Sequence, residues 1–148
     1  MTIHASAIVY GRRGVLIRGK SGAGKSTLAG MLISSARREG KFAAFVSDDR
    51  VLLDVADSRL IASAPESIVG HAEIYGLGII KVAHEPSVVL HCVIDIVKDD
   101  DVQRMPEESS LHCSIQGVVL PRQPVSFENT GAMLRLSEAV INGYQRKS

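Results

Sequence analysis

The residues from Gly19 to Ser26, G-K-S-G-A-G-K-S, have types and spacing that can do chemistry. They fit G-x-x-x-x-G-K-[ST], the loop that wraps nucleotide phosphates. Gly19, Gly22 and Gly24 permit backbone angles that a side chain forbids, so successive N–H groups turn inward on an anion. Lys20, Ser21 and Ala23 fill the cradle between them. Lys25 then reaches the β- and γ-phosphates, and the Ser26 hydroxyl can ligate Mg²⁺. A flexible Gly-Ser turn explains the same letters less well, because the flanks are ordered elements. Val15-Leu16-Ile17 reads as a strand feeding the loop, and Ser26 to Ile33 opens a helix whose dipole favours phosphate.

Transfer of a phosphoryl group from ATP also needs a group that orients or deprotonates the nucleophile, and positive charge to meet the charge that develops. Asp48 and Asp49 follow an apolar strand, Phe42 to Val46, at the end where doubly wound sheets place ligand groups. One carboxylate there can hold Mg²⁺ and the other can accept a hydroxyl proton. An Asp pair that merely caps a turn is the alternative, and the phosphate loop upstream weighs against it. Glu73, a lone acid among apolar and glycine residues, is balanced between a metal ligand and a solvated edge residue. Arg104 lies in an acidic loop from which it can swing onto a γ-phosphate, though an arginine in a loop is more often only solvated, and His4 is equally open between a site and a surface role. His71, His84, His91 and His112 show no paired spacing and read as structural or exposed.

The elements that must position these groups follow from local pattern. Ala7 to Tyr10 and Val15 to Arg18 read as a hairpin around Gly11-Arg12-Arg13-Gly14. The helix after the loop runs to about Arg38 and ends at Glu39-Gly40-Lys41. The strand Phe42 to Val46 is placed beside the phosphate-loop strand. Val51 to Val55 and Arg59 to Ala64 form another hairpin, and Ser87 to Val97, almost continuously apolar, is the central strand. Lys98 to Ser110 is a polar surface loop, Leu111 to Leu120 a further strand, and Ala132 to Gln145 an amphipathic closing helix. This is an α/β chain with a mixed sheet, a strand-rich second half and a C-terminal helix.

Bulk properties set limits. At 148 residues the chain reads as a single domain over 1–148, large enough for a substantial core. Its formal net charge of +1 gives no pull toward nucleic acid or an acidic membrane. There is no signal-peptide pattern and no long apolar run, so the expected compartment is the cytoplasm. Cys92 and Cys113 lack metal or redox spacing and fit buried thiols.

The order His4, Gly19–Ser26, Asp48-Asp49-Arg50-Val51 and Glu73-Ile74-Tyr75-Gly76-Leu77-Gly78-Ile79-Ile80 resembles the catalytic domain of bacterial HPr serine kinase/phosphorylase. The resemblance covers roughly residues 1 to 125, and the E-I-x-G-L-G-I-I segment is its most specific part. It implies a P-loop domain akin to phosphoenolpyruvate carboxykinase, assembled as a homohexamer. The implied reaction is phosphorylation of a serine of HPr, the phosphocarrier of the sugar phosphotransferase system, with ATP and Mg²⁺. It also implies roles: Lys25 on the β- and γ-phosphates, Ser26 and Glu73 on the metal, Asp48 as acid/base, Arg104 as catalytic arginine and His4 as catalytic histidine. Asp49 keeps an open share of the metal.

The chain also departs from the family. It reads as a minimal form without the family's separate N-terminal domain, it has Tyr75 where the signature usually has Arg, and its connection from Ser26 to Asp48 is several residues longer. The family segment linked to dephosphorylation reads P-V-x-x-G-R-N, against Pro121-Arg122-Gln123-Pro124-Val125-Ser126 here. The kinase expectation survives that departure, and phosphorylase activity is the part it puts in question. Two other readings compete. A small-metabolite P-loop kinase is opposed by the lack of an Arg-rich helical lid, and an ATP-gated non-catalytic module is opposed by the intact Lys25, Asp48 and Glu73.

Overall fold

A computed structural model describes residues 1–65, 71–74, 78–81, 84–102 and 106–143, the segments 71–74 and 78–81 as backbone only. The described elements run β1 (Thr2–Tyr10), β2 (Arg13–Arg18), α1 (Lys25–Arg38), β3 (Ala43–Ser47), β4 (Arg50–Ala56), β5 (Arg59–Ser63), β6 (His71–Ile74), β7 (Gly78–Lys81), β8 (Ser87–Ile96), β9 (His112–Ile115), β10 (Val118–Val125) and α2 (Thr130–Ile141). In the described parts of the polar segment 98–111 lie two short 3₁₀ turns, Asp99–Asp101 and Glu108–Leu111.

Strand alternation builds the core. Along β1, Ile8 and Tyr10 join one hydrophobic cluster while Ala7 and Val9 join another; along β2, Val15 and Ile17 separate from Leu16 in the same way. Successive side chains of a strand point to opposite faces, so a sheet apolar on both faces must be covered on both. The first cluster is closed by α1, through Leu28, Leu32 and Ala36, and by α2, through Met133 and Ile141. The second is closed by β4 and β5, through Val51, Leu53, Leu60 and Ala62. Tyr10 ties β1 to α2 by donating its hydroxyl to Glu138 at 2.7 Å.

Strand β8 is central, as its apolar run predicts. It pairs antiparallel with β5, parallel with β2 and parallel with β10. The pairings β2–β1–β4–β5–β8 return to β2 and close a circuit. At the closure, a Cβ on Gly14 would lie 2.2 Å from the Val89 carbonyl oxygen, so β2 approaches β8 that closely only because residue 14 is glycine.

Three expectations change. The strand after α1 does not lie beside the phosphate-loop strand: β2 has β1 on one edge and β8 on the other, so β3 pairs with β1 instead. The single strand expected over Leu111 to Leu120 is a hairpin, β9 and β10, turning at Gln116 (φ 50°) and Gly117 (φ 81°). Strand β10 also runs on through Pro121 and Pro124. Its first half pairs with β9 and its second half with β8, so each half keeps an open edge on which a missing N–H is tolerated. The closing helix begins earlier than expected, at Thr130, where Asn129 caps it by accepting from the Ala132 N–H at 3.1 Å.

Candidate functional site

Strands β2, β8 and β10 are mutually parallel, and β3, antiparallel to β1 as β2 is, shares their direction. Four strand C-termini, at Arg18, Ser47, Ile96 and Val125, therefore lead to the same end of the sheet. The glycine-rich loop follows the first and the Asp48-Asp49 pair the second. Ligand sites of open α/β sheets form at such carboxyl ends.

The loop delivers α1 with its N-terminus open. Gly24, at φ 101°, is the cap residue; no side chain caps this end and no acidic residue sits in the first turn. The first main-chain bond of the helix, from the Leu28 N–H to the Gly24 carbonyl, is 2.9 Å long. The preceding amides and the helix dipole are left for an anion. Lys25 is 6% exposed and folds over the loop, donating to the carbonyls of Gly19 (3.1 Å) and Lys20 (3.3 Å). Its Nζ stands 4.0 Å from Asp49 Oδ1.

The chain reverses sharply between β3 and β4. Asp49 takes φ 64°, a conformation that Asp tolerates better than most residues, and the Arg50 N–H closes on the Asp48 carbonyl at 2.8 Å. The Ser47 hydroxyl donates to the Arg50 carbonyl in the same turn. The result separates the two acids. Asp48 is 4% exposed and points inward, while the Asp49 side chain is 56% exposed. The Ser26 hydroxyl lies 2.6 Å and 2.7 Å from the two Asp48 carboxylate oxygens, and Ser6 Oγ donates to Oδ1 at 2.6 Å. A half-buried hydroxyl beside a buried carboxylate is a hard-oxygen donor set of the kind Mg²⁺ prefers, so Ser26 and Asp48 fit that ion.

Of the predicted residues, Gly19 to Ser26 and Asp48 come together. His4 lies on β1 opposite Arg50 of β4, exposed, one residue from the Ala5 N–H that donates to the Asp49 carbonyl at 3.1 Å. Glu73 sits on β6, whose backbone passes close to α1; its side chain, like Tyr75-Gly76-Leu77 and Arg104, lies outside the described residues.

Two groups at this end of the sheet escaped sequence reasoning. Ser6 is fully buried and carries the Asp48 carboxylate; it also accepts from the Asp49 N–H at 3.3 Å. The one signal was a hydroxyl inside the apolar run Ala5 to Val9. Asp95, near the end of β8, is the other. Arg18 grips it with two bonds of 2.7 Å and 2.8 Å, and Arg122 Nε donates to it from β10. Burial alone would raise the Asp95 carboxyl, but the hydrogen bonds from Arg18 and Arg122 outweigh it and hold the group below the usual carboxylate range. This triad links the ends of β2 and β8 to the middle of β10, one residue before the glycine-rich loop begins. Burial pushes the Cys92 thiol, on the same strand, up to about 12, so it stays protonated and inert.

Comparison with known proteins agrees with this arrangement. Residues 1–148 match the family model described as the HPr serine kinase C-terminal domain, and the chain belongs to that family. It is 31% identical to the HPr kinase/phosphorylase of Streptococcus thermophilus, over 94% of this chain and 46% of that protein. The enzyme of the same description from Clostridium tetani is 35% identical over 78% of this chain and 40% of its own length. The chain thus spans less than half the length of these relatives. A solved structure, the HPr(Ser) kinase/phosphatase from Coxiella burnetii, superposes with a TM-score of 0.72 at 28% identity, covering 97% of this chain and 99% of that one. The α/β fold with its mixed sheet and C-terminal helix is the fold of that protein.

Proposed function

We propose that this chain is the catalytic domain of an ATP-dependent protein-serine kinase that phosphorylates HPr and so regulates the phosphotransferase system. In this reading it is a P-loop domain related to phosphoenolpyruvate carboxykinase, a single domain over 1–148, working as a cytoplasmic homohexamer. The observation that carries the reading is the junction of Ser26 and Asp48, with oxygens 2.6 Å apart at the mouth of an uncapped helix. A bare nucleotide sensor has no need for a buried carboxylate at that point.

The loop amides and Lys25 hold the β- and γ-phosphates and draw charge off the terminal group as its bond to the β-phosphate breaks. Ser26, with Glu73 from β6, would hold Mg²⁺, which supplies charge neutralisation across the phosphates. Asp48 takes the proton as the HPr serine oxygen bonds to phosphorus, and ADP leaves. Ser6 fixes the carboxylate from behind, so that it cannot rotate away from Ser26. Arg104 meets the transferred group, and His4 acts from the β1 side. In the phosphorylase direction named for the relatives, an oxygen of inorganic phosphate would bond to the phosphoserine phosphorus and give pyrophosphate, while Asp48 would return a proton to the serine oxygen as its bond to phosphorus breaks.

Mass spectrometry of HPr mixed with this protein and Mg-ATP tests the assignment. A gain of one phosphate on a serine is expected. Unmodified HPr under every divalent metal tried, with ATP binding intact, would leave a nucleotide-gated module instead.

A further inference from the structure

Beside the glycine-rich loop lies a cleft of about 490 Å³ that the phosphates do not account for. Its floor is apolar: Ala23 of the loop, Ile96 at the end of β8 and Phe127 just past β10. Its rim carries charges of both signs, Lys20 and Lys98 against Asp101 and Glu128. The size falls within the range of about 300–1,000 Å³ typical of small-molecule sites.

Phe127 is held in place from three sides. The Val97 N–H donates to the Val125 carbonyl at 2.8 Å and ties the two strand ends together. Ser126 Oγ accepts from the Glu128 N–H at 3.1 Å and fixes the turn around the ring. The ring itself lies against Gly24, where a Cβ would come within 2.5 Å of it. An aromatic side chain is thus locked against the phosphate loop, with part of its surface left in an open cleft. Mixed rim charges disfavour a second anion, which would call for cations alone, but they supply donors and acceptors for the edge of a neutral heterocycle.

We propose that this cleft is the subsite for the base of the bound nucleotide, with the Phe127 ring and Ile96 taking the purine face and the Lys98–Asp101 turn its polar edge. The inference rests on Gly19–Ser26 being a nucleotide phosphate site, since the cleft shares Lys20 and Ala23 with that loop.

Calorimetric titration of the protein with Mg-ATP and with inorganic tripolyphosphate separates the two layers. Phe127→Ala is expected to weaken ATP by about tenfold, the scale of one base–aromatic stack, and to leave tripolyphosphate within about twofold. Equal losses for both ligands would overturn the base subsite while leaving the phosphate site standing. Binding of neither ligand by the unaltered protein would overturn the phosphate site, and the subsite with it. The chain contains no tryptophan, so Phe127→Trp adds a reporter. ATP should quench its emission and tripolyphosphate should not; ATP binding with no change in emission refutes the stack. Should the ring variants not fold, Lys98→Ala on an exposed side chain decides. A loss of about threefold for ATP alone is expected, and unchanged ATP affinity refutes the assignment.

Discussion

Replacing Asp48 by Asn separates chemistry from architecture, because the two effects differ in size. The carboxylate is 4% exposed and sits within 2.6–2.7 Å of the Ser6 and Ser26 hydroxyls. Hydrogen bonds to a charged acceptor contribute about 1.5–3 kcal/mol each, but Asn keeps one acceptor oxygen, and a serine hydroxyl can rotate to accept from the new amide. The net loss of folding stability is therefore about 1–2 kcal/mol. A domain stable by about 5–15 kcal/mol remains almost wholly folded after such a loss. Loss of a general base costs about 10²–10⁴ in rate, or roughly 3–5 kcal/mol of barrier. The catalytic effect is the larger one.

The assay is phosphate incorporation into HPr under saturating Mg-ATP, run beside calorimetric ATP binding on the same preparation. Asp48→Asn is expected to lose at least about a hundredfold in turnover. Its ATP affinity should stay within about threefold of the starting protein, because loop amides and Lys25 rather than Asp48 grip the phosphates. Turnover within twofold of the unaltered protein refutes the role of Asp48 as acid/base. Loss of ATP binding together with activity refutes it differently, by making the residue a strut of the loop.

Gly24→Ala should weaken ATP binding and cost about 1–3 kcal/mol in urea denaturation, because residue 24 holds φ 101° and its Cβ would meet the Phe127 ring. Asp95 predicts the acid response. Its carboxyl is held low by Arg18 and Arg122 against the opposing effect of burial, so its stabilisation is complete above the ordinary carboxylate range and is lost as pH falls below about 4. Asp95→Asn should cost about 3 kcal/mol at neutral pH and flatten the acid limb of a stability–pH curve; an unchanged acid limb refutes the assignment to Asp95. Tyr10→Phe removes the 2.7 Å bond to Glu138 and should lower stability by about 1 kcal/mol in thermal melts with no change in ATP affinity.

What could be read in advance divides along a physical line. The glycine-rich turn between β2 and α1 was legible because eight consecutive residues specify its backbone, and its strand and helix flank it in sequence. Asp48 was legible because it ends an apolar strand. Ser6 and Asp95 were not, since their partners lie 42 and 77 residues away and nothing local marks a polar residue in an apolar strand as paired. The position of β3 was misread for a similar reason: its place depends on β8, which follows it in the chain and takes the free edge of β2. The hairpin β9–β10 was hidden because its turn at Gln116 and Gly117 interrupts an otherwise strand-like run, and β10 continues past Leu120 through Pro121 and Pro124 only because its pairing changes partner there.

The same line explains why the site holds together. A motif fixes the loop internally but cannot say what faces it. That is set by strand direction: β2, β3, β8 and β10 run the same way, so the segments after each meet at one end of the sheet. The Arg18–Asp95–Arg122 triad adds a side-chain link among β2, β8 and β10 through one buried carboxylate. Breaking that link would leave every residue of the phosphate motif in place and still loosen the ends that carry Lys98 and Phe127. The glycine-rich loop therefore depends on local backbone freedom, whereas the Asp48 carboxylate and the cleft at Phe127 that adjoin it depend on parallel strands joined far apart in sequence.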